Sequence, residues 1–152
     1  MGYIDKETLL WDAAALTVDA VSTNTYDMGS ATRDISIGEP LCAVITVDVG
    51  ADATTGDEAY TFNVIQSANA DLSAADIIAS RPFTAAMATA GALAAGKQII
   101  IPIPPESCTK RYLGLALDSS GTTPSITVTA WITPQNLIRT SSKYHPKGYT
   151  IG

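Results

Sequence analysis

The sequence predicts an all-β protein, a β-sandwich or jelly roll of about eight short strands with extended N- and C-terminal segments. Several segments alternate apolar and polar side chains with a period of two. Turn-forming stretches separate these segments, and no long stripe of apolar residues has helical spacing. Ala, Thr and Ser account for 54 of the 152 residues, a bias toward small and β-branched side chains that favours short strands over a helical bundle.

The first forty residues carry the weakest signals. Residues 6–15 have the composition of a short helix, which competes there with a strand. Short strands are predicted at residues 16–21 and 25–28, where apolar and polar side chains alternate.

The middle of the chain gives the clearest strands. Residues 41–49 are apolar at every odd-numbered position, so one face of this strand is expected to be buried. A second strand is predicted at residues 59–67, where Tyr60 and Phe62 share a face. The loop at residues 50–58 joins the two strands and is rich in acidic residues.

Two further strands and a loop are predicted between residues 76 and 103. Residues 76–84 form a weaker strand, and residues 85–95 a loop with at most one helical turn, because glycines interrupt the alanines. Residues 97–103 are almost continuously apolar and end at a pair of prolines. Pro102 lies inside this strand and indicates a sheet edge or a bulge, since proline cannot donate a ladder hydrogen bond.

The last two strands are predicted at residues 111–117 and 125–133. Residues 118–124 between them contain Ser-Ser-Gly-Thr-Thr, which is turn chemistry. We therefore expect the two strands to pair as the strongest hairpin of the sequence.

Charge and hydropathy exclude several classes of protein. Residues 1–12 carry three acids and one lysine, unlike a secretory signal, and the longest uncharged apolar stretch, residues 83–96, is too short to span a membrane. The net charge of −6 argues against nucleic acid as a partner. The charge is uneven, with −10 over residues 1–109 and +4 over residues 110–152. This asymmetry predicts either pairing with other copies of the chain or with an acidic neighbour, or a merely solvated tail.

The chain divides into one β-sandwich domain, residues 1–136, and a basic, aromatic C-terminal arm, residues 137–152. The arm is too polar to fold alone, which favours a segment that becomes ordered on a partner. The residues expected to contact that partner, or another copy of the chain, are Arg139, Lys143, Tyr144, His145, Lys147 and Tyr149.

Candidate chemistry is sparse, so no catalytic residue, metal or cofactor is predicted. The GxxxxGK match at residues 91–97 lacks the following Ser or Thr and precedes an extended segment. His145 is the single histidine and lies in the arm, which disfavours a hydrolase. The acids between Asp48 and Glu58 could bind calcium weakly or be simply solvated. Cys42 and Cys108 are expected to be reduced structural thiols.

Several short stretches resemble a known family. They are DKETLLWD at residues 5–12, STNTYDMG at 22–29, GEP at 38–40, LAAG at 93–96, RYL at 111–113, and the predicted final hairpin. In this layout, which extends to about residue 135, the chain resembles the cement or decoration proteins of tailed-bacteriophage capsids, in particular the small jelly-roll type of podovirus heads.

The resemblance implies a structural protein of the virion without enzymatic activity. It implies a protein made in the host cytoplasm that binds the outer capsid surface, bridges neighbouring major capsid proteins and stabilises the shell. Its partners would be the major capsid protein and other copies of itself, as a dimer or trimer at capsid symmetry axes. The alternative is a carbohydrate-binding jelly roll that serves adhesion, because Trp11, Trp131 and the tyrosines could stack on sugar rings.

Overall fold

A computed structural model of the chain describes residues 6–29, 40–135 and 138. These residues form nine β-strands and one short helix. In chain order they are β1 (Leu9–Leu16), β2 (Ala20–Val21), β3 (Tyr26–Asp27), β4 (Leu41–Val49), β5 (Ala59–Ser67), β6 (Asp76–Phe83), α1 (Ala85–Thr89), β7 (Gln98–Pro102), β8 (Tyr112–Ser120) and β9 (Ile126–Pro134).

The strands form two antiparallel sheets. The β9 sheet has the order β1-β9-β4-β7, and in the β8 sheet β8 lies between β5 and the short strands β2 and β3, with β6 at the far edge. Because β2 and β3 pair with successive parts of β8, they are two pieces of one interrupted edge strand. Eight strands that mostly alternate between two sheets form a jelly roll, so the predicted fold class is confirmed.

The hydrophobic core lies between the two sheets. Alternate residues of the four central strands point inward, and each of these side chains is almost fully buried. They are Ala43, Ile45 and Val47 of β4; Tyr60, Phe62 and Val64 of β5; Leu113, Leu115 and Leu117 of β8; and Ile126, Val128, Ala130 and Ile132 of β9.

Most strands of the middle and end of the chain lie where the sequence predicts them. The bounds of β4 and β5 match the predicted residues 41–49 and 59–67. β7 lies at a sheet edge, as Pro102 indicated. The alanine-rich loop contains α1, which begins after the cap residue Thr84.

The possible helix at residues 6–15 is wrong, because this region forms β1. Strand β1 pairs with β9 in a register that shifts twice, between Leu9 and Trp11 and again between Trp11 and Ala14. Such bulges break the period of two, which hid β1. The strand predicted at residues 16–21 is confirmed only in part, because Leu16 ends β1 and Ala20–Val21 form β2. Burial of Trp11 and pairing with β9 override the helix propensity of the alanines.

The predicted final hairpin is also wrong, because its two strands lie in different sheets. β8 pairs with β5, whereas β9 pairs with β1 and β4. The connection at residues 121–125 crosses between the sheets, and the backbone N–H of Ser125 donates to Tyr60 Oη at 3.1 Å. Turn residues indicate where the chain reverses, but core packing determines which strand the next segment pairs with.

A substitution at Gly121, in this connection, tests how closely the backbone packs there. Gly121 has φ +98°, and a Cβ there would lie 2.5 Å from the carbonyl oxygen of Asp57. Gly56 is the matched control, because its φ is +81° and a Cβ would meet nothing within 4 Å. We expect Gly56→Ala to lower the free energy of unfolding by about 1 kcal/mol, through backbone strain alone.

Gly121→Ala adds a clash with backbone to the same strain, so we expect a loss of about 2–4 kcal/mol. Urea denaturation followed by circular dichroism measures both variants. Equal denaturation midpoints for the two would contradict the tight crossing.

Candidate interaction surfaces

The outer face of the β9 sheet carries an apolar row across all four strands. Leu9 of β1 lies opposite Trp131 of β9, Trp131 opposite Val44 of β4, and Val44 opposite Ile100 of β7. Cys42 lies beside this row and packs with Val44 and Trp131 in a cluster separate from the main core. We call these five residues the outer apolar row.

Residues of this row are buried although they lie on the outside of the sandwich. Cys42 and Val44 are 0% exposed and Trp131 is 8% exposed. Burial raises the pKa of the Cys42 thiol to about 11, and its Sγ donates to the carbonyl of Thr133 at 3.4 Å. The indole N–H of Trp131 is buried and has no hydrogen-bond partner in the described part of the chain.

The outer face of the β8 sheet is different in character. Ser80 of β6 donates to Asn63 of β5 at 2.6 Å, and Asn63 donates to Asp118 of β8 at 2.8 Å. At one end of this face the loop at residues 68–75 lies against the sheet, where Leu72 packs over Gly114. Hydrogen-bonded polar groups and the loop at residues 68–75 therefore cover this face.

The predicted contact residues of the C-terminal arm lie outside the described residues. They are Arg139, Lys143, Tyr144, His145, Lys147 and Tyr149. Ile138, which immediately precedes them, is described and packs against the outer apolar row. Its backbone N–H donates to the carbonyl of Gln135 at 3.3 Å, and the N–H of Gln135 donates to that of Pro40 at 2.8 Å.

Two cations that the sequence grouped with the basic C-terminal part belong to the sandwich. Arg111 forms a two-pronged ion pair with Asp27, at 2.7 Å and 2.8 Å, and Lys110 Nζ lies 2.7 Å from Asp76. Each of these charges is therefore balanced locally. The positive charge available to a partner from residues 110–152 is that of Arg139, Lys143 and Lys147.

The acids between residues 48 and 58 hold turns and, at Asp48, join two neighbouring strands. Asp52 accepts from Thr54, Asp57 accepts from Thr122, and Asp48 accepts from Thr129. Hydrogen bonds from Thr55 and from the N–H of Gly56 keep the pKa of Glu58 below its ordinary value. In the described ranges, no group of three His, Cys, Asp or Glu residues is arranged to hold a metal ion.

The GxxxxGK match is a structural loop between α1 and β7. Backbone N–H groups of Gly96 and Ala94 donate to the carbonyls of Val47 and Gly91, and the Lys97 carbonyl accepts from Val47. A phosphate-binding loop follows a strand and opens a helix, whereas this loop follows a helix and opens a strand. The arrangement does not fit phosphate binding.

Two of the large aromatic residues are poorly placed for stacking on sugars. Trp11 lies in the main core and Tyr60 is fully buried, with its hydroxyl donating to the Asp52 carbonyl at 2.7 Å. A polar groove nevertheless lies beside β3, with cavities of about 420 and 330 Å³ that share Glu7 and Thr25. Its lining is Lys6, Glu7, Ser22–Asp27, Ala70 and Asp71.

The model of the Bbp16 family matches residues 10–132, from β1 through β9 and thus across the whole sandwich. The chain belongs to the Bbp16 family. The name of this family points to a bacteriophage-related protein. The matched region contains both sheets and the outer apolar row except Leu9, and it ends before the C-terminal arm.

Other comparisons add little to the family assignment. None of the curated proteins matches the chain. Among solved structures, the chain is similar to the xylohexaose complex of the CBM22-1-GH10 modules of Clostridium thermocellum endo-1,4-β-D-xylanase 10B, with 11% identity and a TM-score of 0.35. The similarity covers 87% of this chain and 27% of the xylanase chain, so the protein spans about a quarter of that relative.

In the part of the chain that the structure describes, no helix is long and apolar enough to cross a bilayer.

The Asp27–Arg111 pair predicts an unusual titration. Hydrogen bonding from Arg111, with a further bond from the N–H of Gly29, lowers the pKa of Asp27 from 3.8 to about 2. Because the folded pKa is depressed, the pair's contribution to stability is present above pH 3.8 and is lost as pH falls toward 2.

Carboxyl-carbon NMR measures this pKa directly. We expect Arg111→Ala to raise the Asp27 pKa toward 3.8, because the first cause of its depression is removed. Lys110→Ala is the control, since it removes a neighbouring cation that pairs with Asp76 instead. An Asp27 pKa that stays near 2 in Arg111→Ala would refute this assignment.

Proposed function

We propose that this Bbp16-family protein is a capsid cement or decoration protein. It binds the outer surface of a bacteriophage head, where it bridges and stabilises neighbouring major capsid proteins without enzymatic activity. The observation that carries the proposal is the family match across the whole sandwich. The family name points to a bacteriophage, and the same region resembles decoration proteins of phage heads.

The construction of the sandwich supports a scaffold role. Its polar side chains are largely engaged in holding turns and edges, as with Asp52 and Asp57, and Gln66 accepts from the N–H groups of Thr109 and Lys110. Such internal use of polar groups makes a rigid unit, which suits a protein that must resist deformation. Cys42 and Cys108 are free thiols, which fits synthesis in a reducing host cytoplasm.

In this proposal the partners are the major capsid protein and other copies of the chain, as a dimer or trimer at capsid symmetry axes. Arg139, Lys143 and Lys147 supply positive charge, and Tyr144, His145 and Tyr149 supply aromatic contacts. Each contact can be weak, because many copies engage one regular lattice.

Binding to purified phage heads that lack the protein tests the proposal. Removal of residues 137–152 is expected to leave a folded sandwich that occupies fewer sites. The sharper variant is Arg139→Ala/Lys143→Ala/Lys147→Ala, which removes charge and keeps the length of the arm. We expect it to weaken attachment by about tenfold at low salt, with a smaller difference at high salt.

A matched control removes three cations from the sandwich instead. Lys6, Arg81 and Lys97 are exposed, so Lys6→Ala/Arg81→Ala/Lys97→Ala makes the same change in net charge away from the arm. This control should occupy heads like the unaltered protein. Equal occupancy by both triple variants would contradict the role of the arm, and no binding of any form to heads would contradict the cement function.

The polar groove beside β3 supports a second candidate, a carbohydrate-binding adhesion module. Glu7, Asp71 and Asn24 line the groove, and carboxylates and amides of this kind hydrogen-bond sugar hydroxyls. Retention on a glycan column that free sugar abolishes, without attachment to heads, would favour this alternative. Saturable attachment to heads in the absence of sugar would favour the cement function.

A further inference from the structure

The two outer faces of the sandwich are covered by different kinds of groups. Over the β8 sheet, a chain of hydrogen bonds through Ser80, Asn63 and Asp118 and the loop at residues 68–75 complete the surface. Over the β9 sheet, the half near Thr129 and Asp48 is polar and hydrogen-bonded. The other half carries the outer apolar row.

The depth of burial in that row points to a third layer over this half of the sheet. Side chains on the outside of a two-sheet sandwich face solvent unless another part of the structure lies over them. Cys42 and Val44 nevertheless have no exposed surface. Among the described elements, α1 contacts β5 and β6, and the loop at residues 68–75 lies over the β8 sheet, so neither covers this row.

Ile138 identifies the covering segment. Directly after β9 the chain turns at Gln135, whose N–H is bound by the Pro40 carbonyl, and Ile138 then packs against Cys42, Val44 and Trp131. After β9 the chain therefore reaches the outer apolar row at Ile138. Fourteen residues remain after Ile138, and extended they span roughly 45 Å, whereas four strands are about 14 Å across.

The remaining residues have suitable chemistry for this surface. Tyr144, Tyr149 and Ile151 can cover apolar side chains while the tyrosine hydroxyls reach water. The backbone carbonyls of such a segment can also accept from the indole N–H of Trp131, which lacks a partner among the described residues.

We propose that the C-terminal segment, residues 139–152, binds the outer apolar row of its own chain and forms the third layer of the sandwich. The inference rests on the packing of Ile138 and is independent of the capsid proposal. It changes the nature of the arm: Arg139, Lys143 and Lys147 would be displayed on the outer face of the β9 sheet. That face, instead of a free tail, would then meet an acidic partner.

The reactivity of the two cysteines tests the proposal. Cys42 lies under the proposed layer, whereas Cys108 is buried in the main core and serves as an internal control. In Cys108→Ser and Cys42→Ser backgrounds, maleimide labelling of the native protein reports each thiol separately. Removal of residues 139–152 should speed labelling of Cys42 by at least about tenfold, with little change at Cys108.

Two full-length variants separate the effect of the apolar residues of the segment from the effect of its positive charge. Tyr144→Ser/Tyr149→Ser/Ile151→Ser keeps the length and charge of the segment and should expose Cys42 as truncation does. Arg139→Ala/Lys143→Ala/Lys147→Ala keeps the apolar residues and should leave Cys42 protected. Failure of the capsid proposal would appear in head binding, and failure of this one in Cys42 labelling.

Trp131 provides a second readout. In a Trp11→Phe background, its fluorescence should shift to longer wavelength and become quenchable by acrylamide when the segment is removed. Unchanged Cys42 labelling in a folded, truncated monomer would overturn the proposal, because another segment would then cover the row. Protection of Cys42 in a truncated dimer would also overturn it.

If truncation makes Cys42 and Cys108 reactive together, the whole sandwich has opened. The full-length Tyr144→Ser/Tyr149→Ser/Ile151→Ser variant then decides between the two explanations. Cys42 exposure alone in that variant would support the proposal. Continued protection of Cys42 in it would overturn the proposal.

Discussion

The fold depends on the packing of two central strand pairs, β4 with β9 and β5 with β8, face to face across a hydrophobic core. Every second side chain of these four strands is buried between the sheets. A slip of one residue in either pair would turn an entire apolar set toward solvent, so register and fold are fixed together. The edge strands and the crossing at Gly121 follow from this arrangement.

Polar side chains act mainly as supports for this framework. The carboxylates of Asp52, Asp57 and Glu58 bind backbone N–H groups of their own or a neighbouring turn, and Gln66 holds the chain before β8. Loops that are held in this way have well-defined surfaces, but their carboxylates are already engaged in hydrogen bonds. In the described part of the molecule, the most informative feature is the different covering of the two outer faces.

Sequence patterns predicted the strands wherever the alternation of side chains was uninterrupted. β4 and β5 show this most clearly, and Pro102 correctly marked an edge. β1 was missed because two bulges break its period and its alanines favour a helix in isolation. Of the candidate interaction surfaces, the basic arm was visible as composition. The outer apolar row was visible only as apolar residues at Cys42, Val44 and Trp131, on faces expected to meet water.

By itself the sequence determined the class of fold, the position of most strands and the uneven charge, because these depend on residues near each other in the chain. Tertiary structure decided which strands pair, since β8 and β9 separate into two sheets across a turn-forming connection. It also decided that Arg111 and Lys110 are balanced by Asp27 and Asp76, and that a row of apolar side chains assembles across four strands. Such contacts join residues as far apart in the chain as Leu9 and Trp131, and only the packed core brings them together.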